Sequence, residues 1–285
     1  MSAEPRLARE LWLRIETLHA VTYFGEETPA AARAIGLDGF WVDCFALRAP
    51  ARPAGPAPSA PPSPAAPSFV RRWVPRCWEL VAPDAALDVR SAAAAETSAA
   101  SRRASKAAAL AVAGPLDRAV ADAAHRPTLL RRQPRRRPAD DPVAALWQRC
   151  TTLSTAATAT WPCSPLPGLS GLEAHVLIAA ERGSDPVDLQ RTRGWTEDDW
   201  AGAVAGLAHR GLVDGRGALR PAGAELRHEV EATTDRLAAA PLASWSDADA
   251  STVLDALHPV AAAVSAAGVL RYPNPIGLPP VGGAA

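Results

Sequence analysis

From Leu169 onward the chain is punctuated so regularly that few folds remain open to it: three short amphipathic stretches, each closed by a glycine, the second and third opened by a turn or capping residue. Leu172, Val176, Leu177 and Ala180 put apolar side chains on one face of a first helix that ends near Gly183. Asp185-Pro186 opens a second, with proline in the first turn, where its missing N–H is no loss; it runs to Thr192 and stops at Gly194. Thr196 caps a third, and Asp199 three residues on makes an approximate capping box. Trp200, Val204 and Leu207 point that helix inward, Trp195 and Trp200 anchor it, and Gly211 ends it. Residues 212–219 read as two short strands around a glycine turn, and a long helix follows over 222–239. Three helices, a β-ribbon and a helix is the winged helix-turn-helix order.

The N-terminal part is also helical. Leu7, Leu11, Ile15, Leu18 and Val21 recur at spacings of three and four, which predicts a helix over 7–21. A second, over 29–35, ends at Gly36; Asp38 then caps a third over 39–48 whose Phe40, Trp41 and Phe45 suit a core. Residues 49–68 are too rich in proline for a helix or a central strand. Helical pattern returns at 69–80 and from Asp84, dissolves over 91–113, and is irregular again over 154–168. The expected fold is mainly α: an N-terminal helical domain and a C-terminal winged helix-turn-helix with a small β-wing. The expected divisions are 1–48, 49–68, 69–168, 169–240 and 241–285.

Charge narrows the partners. The chain has 30 basic and 30 acidic side chains, so no overall field draws it to nucleic acid or to a membrane surface. From Ser170 onward 9 Arg face 15 Asp plus Glu, a net of −6. Lys106 is the only lysine and Asn274 the only asparagine, a bias that GC-rich codons produce. Cys44, Cys77, Cys150 and Cys163 form no C-x-x-C pair, the start lacks an apolar signal core, and the longest mostly apolar run, 259–270, is shorter than a membrane span. A cytoplasmic protein without a membrane partner is expected.

Several stretches carry a resemblance. Residues 193–200 (RGWTEDDW), 208–214 (AHRGLVD) and 217–223 (GALRPAG) look like the recognition helix and wing of MarR-type regulators. With 18–24 (LHAVTYF), 39–41, 231–237 (EATTDRL) and 273–277 (PNPIG), the chain resembles an actinobacterial helix-turn-helix family sometimes labelled SalK. The resemblance implies a transcription-regulator-like protein, responsive to a small molecule between its halves. MarR-type proteins dimerise through terminal helices, here 222–239 and 253–267; the chain's length, about twice that of a simple MarR protomer, favours instead a monomeric pseudo-dimer whose N-terminal helices pack on the winged domain.

The middle departs from that pattern. Shifted by one base, 154–168 yields EHRGDGHVALLAAAG, which joins Leu169 and opens on a stretch like the EHRGDGH of the family, and 126–138 yields a string like GRPCSAANPAVAL, close to what the family carries before its Asp-Asp-Pro. Both stretches are therefore read as out of frame, and the arginines at 131–132 and 135–137 carry no functional argument.

Two kinds of chemistry remain. Arg191, Arg193, Arg210, Arg216 and Arg220 surround the second helix and the turn and could meet DNA phosphates, although Glu197, Asp198 and Asp199 at the start of the third helix oppose this. Those three carboxylates also suit the helix dipole. Glu16 and His19 share a helix face in the E-x-x-H spacing of helical metal sites, with Tyr23 one turn on; the alternative for His19 is a hydrogen-bonded core histidine beside Tyr23. His175 and His209 read as surface or capping groups. No G-x-S-x-G, P-loop, dinucleotide glycine pattern or H-E-x-x-H occurs, so no catalytic residue and no cofactor are named, and a binding protein is expected over an enzyme.

Overall fold

The computed structural model describes residues 5–38, 81–97, 102–124, 140–160 and 168–282. The expected helix over 39–48, the proline-rich 49–68, the helical pattern over 69–80, the 126–138 stretch, and Cys44, Cys77 and Cys163 lie outside them. The described residues form α1 (Pro5–Phe24), α2 (Glu27–Ala34), α3 (Pro83–Thr97), α4 (Arg102–Ala124), α5 (Pro142–Thr160), α6 (Gly171–Arg182), α7 (Pro186–Arg193), α8 (Glu197–His209), α9 (Pro221–Ala239), a 3₁₀ turn (Ala240–Leu242) and α10 (Asp247–Ala266).

α1 forms where its apolar spacing predicts, burying Leu11, Ile15, Leu18 and Val21. It packs on α5, α9 and α10, while α4 packs on α5 and α10. These helices share the larger apolar cluster, which includes Val112, Leu116, Trp147, Leu257, Val260 and Val264. A second cluster (Val176, Leu177, Leu189, Trp200, Leu207, Leu212 and Val213) holds α6, α7 and α8 together.

Three expectations are corrected. No β-strand forms among the described residues; the expected wing is a single antiparallel bridge, Val213 to Leu219. Its two flanking bonds, Asp214 N–H to Ala218 O (2.8 Å) and Arg220 N–H to Leu212 O (3.0 Å), leave no room for a ladder. Gly211 has only just ended α8, Pro221 already begins α9 and has no N–H to pair, and the Asp214 carboxylate folds the tip by accepting from Arg216 N and Ala218 N. The fold is therefore helical throughout its regular elements, with a bridged turn in place of the wing. The second correction is that, of the stretches expected to be irregular, 91–97, 102–113 and 154–160 are helical, in α3, α4 and the end of α5. Alanine-rich sequence has the strongest helix propensity yet gives weak polar contrast, so no stripe shows. The third concerns His175, which is buried (4% exposed) rather than a surface group.

Candidate functional site

The helix-turn-helix unit is set by local chemistry. Ser170 and Glu173 form a full capping box at α6, and Asp185 accepts Val187 N–H ahead of Pro186 at α7. The α7–α8 connection is Gly194-Trp195-Thr196. Gly194 sits at φ 76°, a left-handed conformation that favours glycine, and both its N–H and that of Trp195 return to Gln190 O. Thr196 and Asp199 complete the box expected at α8; the Thr196 backbone and hydroxyl hold the Asp199 carboxyl below its usual range. Trp200 is in the core as expected, whereas Trp195 is only half-buried.

α8 is unusual in what it shows to solvent. Beyond its acidic first turn (Glu197, Asp198, Asp199), the exposed positions are Ala201, Gly202, Ala205, Gly206 and His209. Base edges in the major groove are read by Arg, Lys, Asn or Gln, and none stands on this face. Its surface can approach a backbone closely but offers no bidentate donor.

The five arginines divide by what already holds them. Arg193 is buried, and its Nη2 donates to Pro275 O (3.3 Å). Arg210 is exposed but tied to Gly168 O (2.7 Å) and to the Glu173 carboxylate. Arg191 donates to Asp188 at 2.8 Å while most of its side chain stays in water. Arg216 and Arg220 are exposed on the bridged turn, and neither side chain makes a hydrogen bond or ion pair among the described residues.

Glu16, His19 and Tyr23 do come together, inside the helical body. His19 is fully buried, with Nδ1 3.0 Å from Thr151 Oγ1, Nε2 2.8 Å from Tyr23 Oη, and the two rings edge to face. Ser154 Oγ donates to the Glu16 carboxylate, and the Arg90 guanidinium lies over the Trp147 ring at 4.8 Å. Cys150 is buried beside them; burial, with a smaller push from Glu16, raises its thiol to about 12, so it is neither a nucleophile nor a ready metal ligand near neutral pH. Among the described residues no three His, Cys, Asp or Glu side chains are grouped to hold a metal ion.

Two features were missed in the sequence. Arg227, 2% exposed, links Glu181 on α6 (2.9 Å) with Glu231 on its own helix (2.5 Å), and Glu231 also accepts from Arg9 on α1. Burial pushes the Glu231 carboxyl up, but Arg227 and Arg9 outweigh it and hold it below its usual range. The Arg227-x-x-x-Glu231 spacing was visible; nothing local signals Glu181 or Arg9. The other is a groove of about 340 Å³ between α7 and the segment after α10, lined by Asp185, Val187, Asp188, Arg191, Arg271 and Pro273 among others. Asp188 accepts there from Arg191 and, at 2.6 Å, from Arg271.

A family model described as a helix-turn-helix family matches residues 8–271, from the first helix to the edge of that groove. No curated protein and no solved structure matches the chain. No helix among the described residues is long and apolar enough to cross a membrane.

Proposed function

The chain belongs to this helix-turn-helix family, and from that premise we propose that it is a DNA-binding, regulator-like protein that holds the duplex by its phosphates. What carries the reading is the placement of the exposed Arg191, Arg216 and Arg220 around α7 and the bridged turn, beside an α8 that can enter a groove but has no base-reading side chain on its exposed face. Selectivity then comes from DNA shape and deformability rather than direct readout. Three phosphate contacts correspond to a salt slope of about −3 in log K against log salt. Binding of a duplex from the gene's own upstream region, followed by fluorescence anisotropy from 50 to 200 mM salt, tests this. Failure to bind either that duplex or a random one at the low-salt end overturns it.

The monomeric, pseudo-dimeric arrangement is the one we favour. Val253, Leu257, Val260 and Val264 of α10, which the MarR-type resemblance offered for dimerisation, are buried within the chain, where α10 packs on α1 and α4.

A second reading places a small-molecule or metal site around Glu16 and His19, and the convergence of Tyr23, Thr151 and Ser154 on them favours it. The one-base-shifted frame would put a glutamate where Ser154 touches Glu16, followed by a histidine. Resequencing codons 49 to 170 tests the frame, and metal analysis with a visible spectrum of the purified protein tests the site.

A further inference from the structure

We infer that Arg271, supplied by the segment after α10, is a further phosphate-contacting residue of the helix-turn-helix face, with Asp188 as the brace that sets it beside Arg191. This rests on the DNA-binding reading and extends it to a residue outside the three-helix unit. The first helix of a helix-turn-helix crosses the DNA backbone, so the side chains of α7 border the phosphates. Asp188 lies in the first turn of α7, and its two oxygens each take one guanidinium: Oδ1 from Arg191 at 2.8 Å and Oδ2 from Arg271 at 2.6 Å. The brace is itself mostly covered, whereas the Arg191 and Arg271 side chains remain 71% and 53% exposed. Each guanidinium has five N–H donors and spends few of them on Asp188, so both forks keep donors for an anion at the mouth of the groove.

The segment bearing Arg271 is fastened to the same unit. The Asn274 side chain donates to Leu278 O and accepts from Leu278 N. Arg193 of α7 holds Pro275 O, and Arg182 of α6 holds Gly277 O. Arg271 is therefore carried with α6 and α7. Two arginines and two aspartates line the groove, so its formal charge is balanced and a general positive field is absent. The expected recognition is of one phosphate by each fork, so that Arg271 adds one contact to those of Arg191, Arg216 and Arg220.

The test is anisotropy titration of full-length protein with the upstream duplex from 50 mM to 1 M salt, for wild type, Arg271→Ala, Arg271→Lys and, as control, Arg6→Ala on α1. Removing one phosphate contact lowers the magnitude of the salt slope by about 0.9, which is about an eightfold loss of affinity at 0.1 M salt that closes towards 1 M. Arg271→Ala is expected to show that change, Arg271→Lys to recover most of the slope, and Arg6→Ala to match wild type. If wild type binds DNA and Arg271→Ala keeps its slope, or if affinity falls equally at every salt concentration, this inference is overturned and the DNA-binding reading stands. If wild type binds no duplex, both fall.

Discussion

Gly223 offers the sharpest test of how the helix-turn-helix unit is joined to α9. It lies in the first turn of α9, where a Cβ would come within 2.1 Å of Leu212 O, 3.0 Å of Leu212 C and 3.0 Å of Leu219 Cδ1. The first of these is backbone and cannot swing away. Gly223→Ala must push the start of α9 off the bridged turn by about an ångström, since carbon and carbonyl oxygen rarely approach closer than about 3.3 Å. Overpacking of this kind costs typically 1–3 kcal/mol, here towards the upper end because the obstacle is main chain. The Arg220 N–H to Leu212 O bond adds about 1 kcal/mol when strained, and the better helix propensity of alanine returns about 1 kcal/mol. The net expectation is a loss on the order of 3 kcal/mol in urea unfolding followed by circular dichroism. Gly202→Ala on α8 is the matched control: its Cβ meets nothing within 4 Å, so only propensity acts and the variant gains about 1 kcal/mol. A Gly223→Ala protein within about 0.5 kcal/mol of wild type would refute the packing.

Other expectations follow from the same geometry. His175 titrates at about 3, because burial, and then Arg193, disfavour its charged form while its bond to Gly171 O opposes them weakly. The unfolded chain, titrating near 6.5, binds the extra proton between these values, so stability falls as pH drops below about 6.5 with a slope approaching 1.4 kcal/mol per unit; urea midpoints at pH 7, 5 and 4 should fall faster for wild type than for His175→Gln, and equal pH dependence would contradict the assignment. Arg227→Ala leaves Glu181 and Glu231 without their buried partner and should cost roughly 2–4 kcal/mol, discounted because both acids are about a third exposed; Arg227→Met, which keeps the volume, tests whether charge or packing is lost. Arg216→Ala with Arg220→Ala should lower the magnitude of the DNA salt slope by about 1.8 without changing the melting temperature, whereas Arg193→Ala should do the reverse.

The helix-turn-helix unit was legible because its signals are local: a capping side chain, its partner three residues on, and a glycine where the chain must leave the helix. Asp185, Thr196, Gly183 and Gly194 act within one turn of their own positions, and the Ser170 cap of α6, which was not read, is equally local. The bridged turn was misread because strand formation depends on available length, and Pro221 removes it. The second half of α3 and the first half of α4 were missed for a different reason. Ala93, Ala94, Ala108, Ala109 and Ala119 are buried, but alanine stands equally on the exposed face, so periodicity cannot separate the two. The convergence of Glu16 and His19 with Thr151 and Ser154 needs α1 and α5 to pack across more than a hundred residues, which no spacing encodes.

The arginines were hardest to sort, and composition explains why. Where a chain uses both cations, lysine gathers on solvated faces and arginine where a fixed fork meets a carboxylate or carbonyl, so residue type itself hints at role. Here one lysine stands among 30 basic residues, and arginine must serve every purpose. In the C-terminal half Arg182, Arg193 and Arg227 are spent on Gly277 O, Pro275 O and the Glu181–Glu231 pair, while Arg216 and Arg220 reach water. Their sequence neighbourhoods do not distinguish them, because what consumes an arginine is an element 46 to 95 residues away. The acidity of this half therefore understates how few cations remain for phosphate. Three or four contacts against a net charge of −6 make DNA affinity depend steeply on salt, and the slope itself counts the arginines left free to act.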